Sequence, residues 1–464
     1  MFIGREEELN FLESRYSESN GQLIVLYGRR RIGKTETLRK FCENKDNVFY
    51  SCTEVTDQQQ LKGFSERILQ KDIPAARYID KFADWQQALK SVREFPGSGK
   101  KLLVIDEFPY MVKGNRAIPS ILQNLWDTEL KNENIMIILC GSSMSFMEND
   151  ILAEKNPLYG RTTGILKMQE MDYFTAAQFF PQYNAVEKIT AYAVLGGIPH
   201  YLKQFDSSKS LQENITAHIL TRGSILYSEI EFLLRQELRE TAIYNTVIEA
   251  VALGNTKLND IYQKTQIDRS KLSVYLKNLI ELGIICREFS LTDGLKEQAN
   301  VQRGLYRLTD NFFCFWYRFV FPNLSELEAG DAQGIWRYAV EPELANYTSF
   351  VFEDVCRQYL QRQNRKELLP FHFTQIGRWW NKTDELDILA VDTKRKHYLV
   401  GECKYKNSQF SLHDLRNMQR KFTPVDPESQ LCYWLFAKNG FADEIAKEAV
   451  NNEIYLRTAE DLFE

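Results

Sequence analysis

The chain has 464 residues, too many for a single hydrophobic core, and its length predicts about three domains. Hydrophobic residues make up 44% and charged residues 26% of it, as in ordinary soluble globular proteins, and no run approaches the roughly 18 apolar residues that a membrane span needs. The net charge of -5 excludes a generic polyanion binder, so any nucleic-acid contact must come from a local basic patch.

The N-terminus and the cysteines both indicate a cytoplasmic protein. The opening residues MFIGREEE lack the basic and then apolar pattern of a secretory signal peptide. Eight cysteines are scattered without a close pair of the zinc or CxxC kind. Several of them lie within apolar stretches, which favours reduced core cysteines over disulfides. We therefore expect a cytoplasmic location and no membrane partner.

A glycine-rich loop follows the first predicted strand. The apolar run 22–27 enters a G-x-x-x-x-G-K-T motif, and residues 36–41 continue as a helix, which is the context of a phosphate-binding loop. Its backbone N–H groups would face phosphate oxygens, Lys34 would reach the β- and γ-phosphates, and the Thr35 hydroxyl would bind Mg²⁺. We predict an ATP and Mg²⁺ site formed by Gly28, Arg29, Arg30, Arg31, Ile32, Gly33, Lys34, Thr35 and Glu36.

The three arginines are unusual inside such a loop. They either cover the nucleotide or face solvent, and the motif does not decide between these readings.

An acidic pair ends the apolar strand 101–105 downstream of this loop. Asp106 would hold Mg²⁺ through water. Glu107, one residue further, is placed to activate the attacking water as a general base. This is the Walker B pattern, and it predicts hydrolysis of ATP as well as binding.

Two later positions are candidates for sensing the γ-phosphate. Ser142 and Ser143 follow the apolar strand 135–140, where a polar tip could orient the water, although a capped turn explains them equally well. Arg161 lies in a loop before the next predicted strand and is a candidate arginine finger or sensor. An exposed loop arginine is the alternative reading.

Five short apolar strands alternate with helices in the N-terminal third. They are predicted near 23–27, 47–51, 101–105, 135–140 and 164–168, and this alternation indicates an α/β fold with a parallel sheet. Along the chain, one predicted strand lies between the strand that enters the phosphate-binding loop and the strand that ends in the acidic pair. This order is similar to that of the AAA+/ASCE branch of P-loop NTPases.

Several motifs together resemble the archaeal-type ATPase family, a group of AAA+- and STAND-related P-loop ATPases. They are FIGREEEL at 2–9, the GRRRIGKT loop, LYGRTT at 158–163 and LGGIPHYL at 195–202, and the resemblance covers about residues 1–320. It implies a nucleotide switch with a helical lid and a winged-helix module. It also implies that the segment around Arg5 lies by the adenine and that Pro199 belongs to a lid motif contacting the base.

The predicted domains follow from these patterns. The ATPase core is assigned to 1–170, the helical lid to 171–238 and the winged helix to 239–322. Apolar spacing predicts a recognition helix over 269–280, capped by Asp268, followed by a hairpin whose turn lies near 293–294. Its off-stripe cations are Arg269, Lys271 and Lys277. The winged helix is suited either to DNA binding through phosphate contacts or to protein interaction, and the sequence does not favour one role over the other.

Two features follow the winged helix. The aromatic run 312–321 could stack on bases, but packing between domains is the favoured interpretation. The polar stretch from 323 to 334, with two glycines, is predicted to be a linker.

The C-terminal domain, assigned to 336–464, carries an acidic pattern on two predicted strands. Asp387 and Glu402 can meet on one side of a hairpin and share a divalent metal, and Lys404 points to the same face. There Lys404 could position water and stabilise phosphate charge. Asp384 and Glu385 compete for the role of the first acid.

This D…E-x-K arrangement resembles the PD-(D/E)xK nuclease superfamily, whose domain is appended to many members of the ATPase family. The resemblance implies an α/β restriction-endonuclease-like fold and gives Glu353, on a preceding helix, as an additional metal ligand; His413 or Gln419 on the next helix could complete the site. No proline precedes the acid, which departs from the superfamily pattern, and the superfamily also contains inactive members.

The leading hypothesis is an ATPase whose nucleotide state controls a DNA-directed, nuclease-like domain. In the alternative, a STAND-type regulatory scaffold, the nuclease fold binds DNA or a partner without cutting. A motor-like homo-oligomeric ring is a third possibility, with Arg161 acting on a neighbour's ATP.

Overall fold

The computed structural model describes residues 2–294, 303–451 and 453–464, which fall into two compact units. The first unit comprises Met1–Glu170 and Ile198–His200, and the second comprises Met171–Gly197 and Tyr201–Glu464. None of the helices in these described ranges combines the length and apolar character that a membrane crossing requires.

The first unit alternates strands and helices. Its strands are β1 (Gln22–Tyr27), β2 (Asn47–Ser51), β3 (Lys101–Asp106), β4 (Ile135–Gly141) and β5 (Gly164–Lys167). Its helices are α1 (Glu6–Ser17), α2 (Lys34–Cys42), α3 (Asp57–Leu69), α4 (Trp85–Lys90), α5 (Phe108–Gly114), α6 (Ile118–Leu125) and α7 (Met144–Phe146). The five predicted strands are confirmed to within about two residues, because each apolar run is long enough for a strand and too short for a helix.

All five strands pair in parallel, in the order β2-β3-β4-β1-β5. Strands β1 and β4 are buried along their whole length between two apolar clusters, one on each face of the sheet. Because parallel strands end at the same edge, the phosphate-loop motif after β1 and the acidic pair ending β3 emerge together. That edge is where the candidate nucleotide site lies.

The second unit begins with helices. They are α8 (Tyr173–Ala177), α9 (Ala185–Leu195), α10 (Pro199–Leu202, which starts in the first unit), α11 (Leu211–Ile215) and α12 (Ile225–Glu237). The residues predicted as a lid are therefore helical. Asn184 forms a capping box with Glu187 at the start of α9, and Ser210 does the same with Glu213 at α11.

Three helices and two strands follow, namely α13 (Thr241–Ala252), α14 (Leu258–Thr265), α15 (Arg269–Glu281), β6 (Ile285–Glu288) and β7 (Leu305–Leu308). Asp268 caps α15, because its carboxylate accepts hydrogen bonds from the N–H groups of Ser270 and Lys271. β6 and β7 pair antiparallel, with Ile285 opposite Leu308. The predicted turn at 293–294 is described, but much of the connection, residues 295–302, lies outside the described residues.

The aromatic run is buried inside the second unit. Helix α16 (Asn311–Phe315) and the π-helical turn Trp316–Val320 carry it, and most of its rings are excluded from solvent. The Trp316 indole donates to the carbonyl of Tyr227 on α12, and the Tyr317 hydroxyl donates to Asn245 on α13. The run is therefore packed among helices within the second unit, where its rings are withdrawn from base stacking, and the predicted packing between domains stays a prediction.

The predicted linker at 323–334 is wrong, because these residues are largely helical. Helices α17 (Leu324–Glu328) and α18 (Ala332–Ile335) form there, and a π-helical turn, Trp336–Val340, leads into α19 (Glu341–Arg365). Leu327 and Ile335 are buried, and Asp331 caps α18 through the N–H of Gly334. Two apolar anchors and a cap suffice to order a stretch whose composition is otherwise polar.

A five-stranded mixed sheet forms the C-terminal part. Its order is β12-β11-β10-β9-β8, with β8 (Gln375–Trp380), β9 (Glu385–Val391) and β10 (His397–Lys404) antiparallel, and β11 (Gln430–Ala437) and β12 (Ile454–Thr458) parallel to β10. Helix α20 (Leu412–Lys421) follows β10, and α21 (Asp443–Asn451) follows β11.

Helices cover both faces of this sheet. Tyr359 of α19 packs on Trp434 and Phe436, while Leu415 and Met418 of α20 pack into the cluster on the other face. The chain order after α19 is therefore three antiparallel strands, a helix and a parallel strand. This arrangement places the predicted carboxylates of β9 and β10 beside α19.

Candidate functional site

The phosphate-loop motif forms a compact turn between β1 and α2. Gly33 has a left-handed backbone (φ 94°), and a Cβ added at Gly28 would lie 2.6 Å from the carbonyl oxygen of Met168, so both positions require glycine. The buried Lys34 ammonium donates to the carbonyls of Gly28 and Arg29, each at 2.8 Å. Burial lowers the pKa of Lys34. A nucleotide phosphate would supply a negative partner for this ammonium inside the loop.

The magnesium residues predicted from the sequence come together. The Thr35 hydroxyl donates to the Asp106 carboxylate at 2.8 Å. This contact joins the first turn of α2 to the end of β3, on adjacent parts of one sheet edge. The pair is the oxygen-donor set that a nucleotide-bound Mg²⁺ uses in phosphate-loop enzymes.

Glu107 is held beside the tip of β4. Its backbone is left-handed (φ 53°), a conformation that costs a non-glycine residue roughly 1–2 kcal/mol. Its carboxylate accepts a hydrogen bond from the Ser142 hydroxyl at 2.8 Å and one from the Ser142 N–H at 3.3 Å. Of the two candidate serines, Ser142 therefore contacts the predicted general base, whereas Ser143 precedes α7 without a capping bond from its side chain.

The remaining loop residues differ in their surroundings. Arg29 pairs with Glu170 at 2.6 Å, and Arg31 contacts His200. The positive charge of the half-buried Arg30 helps to lower the pKa of Lys34. Ile32 is buried in the apolar cluster beneath the loop, and Glu36 is exposed.

Pro199 lies by the loop. Its Cγ atom is 3.7 Å from the position that a Cβ would take at Gly33, so the residue from the lid motif sits against the nucleotide-binding turn.

Arg5 braces this loop, a role that the sequence did not predict. Its backbone is left-handed (φ 75°), and its buried guanidinium donates to the carbonyl of Ile32 at 2.8 Å, the carbonyl of Gln169 at 2.8 Å and the carboxylate of Glu8 at 2.7 Å. The resemblance of FIGREEEL had implied only that this segment lies by the adenine. A bond from Arg5 to a backbone carbonyl leaves no pattern in the sequence.

We expect Arg5→Ala to lower the free energy of unfolding by about 3 kcal/mol, because it removes three charge-assisted hydrogen bonds and leaves buried acceptors unsatisfied. ATP affinity should fall with it, since the loop loses its brace. Thermal unfolding and nucleotide titration check this. The control is Arg15→Ala on α1, the helix that follows Arg5; the Arg15 guanidinium lies over the ring of Phe11. Equal losses in the two variants would contradict the assigned role.

The Arg161 side chain is bound to nearby residues of the chain in this structure. Its guanidinium pairs with Asp127 at 2.8–3.1 Å and donates to the carbonyls of Pro157 and Tyr159. To act on a neighbouring nucleotide it would have to leave Asp127. Its role in catalysis stays a prediction.

The predicted carboxylates of the C-terminal sheet face one cavity. Asp387 and Glu402 come next along the ladder after the pair Ile388–Gly401, and with Glu353 of α19 they line a cavity of about 510 Å³. Burial first, and then the charge of Asp387, raise the pKa of both Glu353 and Glu402 to about 7. Burial also raises the pKa of Asp387, which accepts a hydrogen bond from the Cys403 N–H at 2.8 Å.

The three candidate acids differ in position. Asp387 lines the cavity, whereas the side chain of Glu385 is 70% exposed and Asp384 belongs to the turn before β9, where it accepts from Thr383. Asp387 is thus the acid that lies in the cavity with Glu402, and its role as the first acid of the pattern stays a prediction.

Two lysines flank the site in different ways. Lys404 lines the cavity, and its ammonium contacts the Asp414 carboxylate at 2.8 Å and the Gln409 carbonyl at 3.0 Å. Lys421, at the end of α20, contacts both oxygens of Glu402 at 2.9 and 3.1 Å. Sequence reasoning named His413 and Gln419 on this helix, both exposed, and missed Lys421. Its seven-residue spacing from Asp414, two helical turns, was the available signal.

The phosphate-loop site and the carboxylate site each offer oxygen donors to a divalent cation that a phosphate-bearing substrate also binds. In the part of the chain that the structure describes, no three His, Cys, Asp or Glu side chains are grouped closely enough to hold a metal on their own. Mg²⁺ usually takes only one or two protein carboxylates together with water and phosphate oxygens. Thr35 with Asp106, and Asp387 with Glu402, offer donors of that kind.

Two family models match this chain. One, described as an ATPase domain predominantly from Archaea, matches residues 2–205. The other, described as archaeal and bacterial proteins of unknown function, matches residues 316–418.

Known proteins give the same picture. An uncharacterised protein of Methanocaldococcus jannaschii is 34% identical over 409 residues, which is 88% of each chain. An uncharacterised ATP-binding protein of the same organism is 58% identical over 45 residues, which is 10% of this chain and 76% of that one. The solved Walker-type ATPase of Pyrococcus abyssi matches with a TM-score of 0.53 at 20% identity, over 68% of this chain and 96% of its own. At that identity the match supports the fold alone.

Proposed function

The chain belongs to the family of ATPases found predominantly in Archaea, and from this premise we propose a function for its two sites. The first unit is an ATP-binding P-loop domain that hydrolyses ATP. Thr35 and Asp106 would hold Mg²⁺ on the nucleotide, and Glu107, oriented by Ser142, would take the proton of the attacking water.

The second site is proposed to act on DNA as a metal-dependent nuclease whose activity depends on the nucleotide state. One observation carries this proposal: Asp387, Glu402 and Lys404, from two adjacent strands, line the same cavity. The order of helix, three antiparallel strands, helix and parallel strand supports it, because it is the arrangement expected of a restriction-endonuclease-like domain.

The chemistry would be divided among these residues. A divalent cation held by Asp387 and Glu402 would stabilise charge on the phosphate and promote loss of a proton from water. Lys404 would bind a phosphate oxygen, exchanging Asp414 for the substrate. The contact with Asp414 holds Lys404 in place beforehand. Burial acts to raise the pKa of Asp414, but the hydrogen bonds from Lys404 and Ser411 outweigh it and lower this pKa to about 2.

Nucleotide binding could reach the second unit along the chain itself. Ile198–His200 belongs to the first unit, while the residues immediately before and after it belong to the second. Pro199 lies against Gly33, so a phosphate that reshapes the loop would move the segment Ile198–His200.

The proposed DNA contact is helix α15, whose Lys271 and Lys277 are exposed.

A second candidate function is a STAND-type scaffold whose nuclease fold is inactive. The observation that favours it is the ion pair between Lys404 and Asp414, which neutralises the one lysine of the motif. In that case DNA or a protein partner would bind without being cut.

The test is cleavage of end-labelled linear, single-stranded and branched DNA with Mg²⁺ or Mn²⁺, with and without ATP. Cleavage that changes with ATP supports the proposed function. Binding of DNA without cleavage under every condition contradicts it and favours the scaffold.

A further inference from the structure

A partly buried network of charges links strands β6 and β7 to the carboxylate site. Arg307 of β7 contacts Glu288 of β6 at 3.0 Å and Asp354 of α19 at 3.3 Å. Arg357, one turn along α19 from Glu353, pairs with Asp354 and donates to the backbone carbonyl of Asp387 at 3.4 Å. The network therefore runs from a strand pair beside the proposed DNA-contacting helix to the backbone of Asp387, which lines the cavity.

Arg378 of β8 lies at the junction of this network. Its guanidinium is shared among three carboxylates, with Nη1 3.4 Å from Glu288, Nε 3.7 Å from Glu353 and Nη2 3.7 Å from Glu385. None of these contacts is at the optimal distance of a single strong ion pair, which lies below about 3 Å. The positive charge that Glu353 experiences thus depends on how strongly Glu288 attracts the same guanidinium.

The backbone holds β6 close to Arg378. The Leu291 N–H donates to the Arg378 carbonyl at 2.9 Å, and the buried Ser290 hydroxyl exchanges hydrogen bonds with Trp380, accepting from its N–H and donating to its carbonyl, both at 3.0 Å. Glu288 is therefore fixed relative to β8 as long as residues 288–291 keep this position.

We infer that Arg378 is a positioning residue that tunes cation binding at Asp387 and Glu402. Glu288 of β6 sets the strength of this effect, because it competes with Glu353 for the Arg378 guanidinium. The inference rests on the proposed function of the carboxylate site and adds a connection from β6 to it. A displacement of β6 would shift Arg378 toward Glu353 and weaken cation binding. Removal of the Arg378 charge would strengthen it.

Two charge-removing variants should have opposite effects. Arg378→Gln should tighten Mn²⁺ binding about fivefold, because a positive charge close to the carboxylates disappears. Glu288→Gln should weaken it by about the same factor, because Arg378 is then drawn to Glu353. The double variant should resemble Arg378→Gln. A purely structural role would weaken binding in all three.

The measurement is titration of Mn²⁺ against nucleotide-free full-length protein, with free Mn²⁺ read from its electron paramagnetic resonance signal. Asp387→Ala defines how much Mn²⁺ binds elsewhere on the chain. Arg457→Gln is the matched control, since Arg457 also links the sheet to α19, through the Tyr359 hydroxyl, and forms no ion pair with a carboxylate among the residues that the structure describes. Arg378→Lys, which keeps the charge, should restore most of the wild-type affinity.

The outcomes separate this inference from the proposed function. Mn²⁺ binding that Asp387→Ala removes, combined with shifts of the same sign in both charge variants, overturns the inference alone. Wild-type protein without such binding overturns both the inference and the metal-dependent nuclease. Thermal unfolding of each variant, run beside the titrations, shows that the folded protein is being compared.

Discussion

Glu107→Gln is expected to bind ATP about as tightly as the wild-type chain and to lose turnover by a factor of about 10²–10⁴, the usual contribution of a positioned general base. The substitution keeps the shape of the side chain, and the amide oxygen can still accept from the Ser142 hydroxyl. What disappears is the carboxylate that takes a proton from water. Phosphate release under saturating ATP and nucleotide titration give the two measurements.

Lys34→Ala is the contrasting variant. It removes the buried ammonium of the phosphate loop and should abolish ATP binding itself. The ATP turnover of Ser142→Ala should lie between that of wild type and that of Glu107→Gln, because this variant keeps the general base but loses the hydrogen bond that orients it. Normal hydrolysis by Glu107→Gln would show that the general base has been misassigned.

Asp387→Asn is expected to remove divalent-dependent DNA cleavage while leaving the protein at least as stable as wild type. Burial raises the pKa of Asp387, so its charged form is disfavoured in the folded state above the ordinary carboxyl pKa. A neutral amide relieves that cost and can still accept from the Cys403 N–H. Cleavage assays and thermal unfolding at neutral pH measure the two effects.

Lys404→Ala should reduce cleavage by two orders of magnitude or more, about the effect of losing one group that stabilises developing charge. Asp384→Ala is the matched control, since this acid lies in a turn before the same strand and is not among the residues that line the cavity. If Asp384→Ala loses as much activity as Asp387→Asn, the pattern has been assigned to the wrong acid. Unaltered cleavage in Asp387→Asn would exclude a catalytic role for this cavity.

The parts of the structure that local sequence determines were predictable. Runs such as 22–27 and 135–140 are apolar throughout and short, so they indicate buried parallel strands, and the motif after the first strand fixes the place of Lys34. Asp268 was identified as a cap because capping depends on residues only two or three positions away. The two-residue period of a strand placed Glu402 and Lys404 on one face, and both line the same cavity.

Contacts between distant residues were not predictable. Arg5 reaches the loop at Ile32, and Arg378 reaches Glu288 ninety residues earlier, through distances that only the folded chain closes. Lys421 was missed for the same reason, since its partner lies on another element. The polar composition of 323–334 concealed the buried anchor Leu327, because average polarity does not show where single apolar residues fall. A second buried anchor, Ile335, follows this stretch directly.

The residues that follow β6 also determine how the C-terminal sheet can be handled in isolation. β8 is an edge strand, and the Arg378 carbonyl and Trp380 N–H on its outer side are occupied by Leu291 and Ser290. A fragment starting at residue 336 would expose both groups on a strand rich in aromatic side chains. Uncovered edges of this kind recruit other strands, so such a fragment should self-associate. A fragment that keeps this edge closed therefore has to include Ser290 and Leu291, which follow β6.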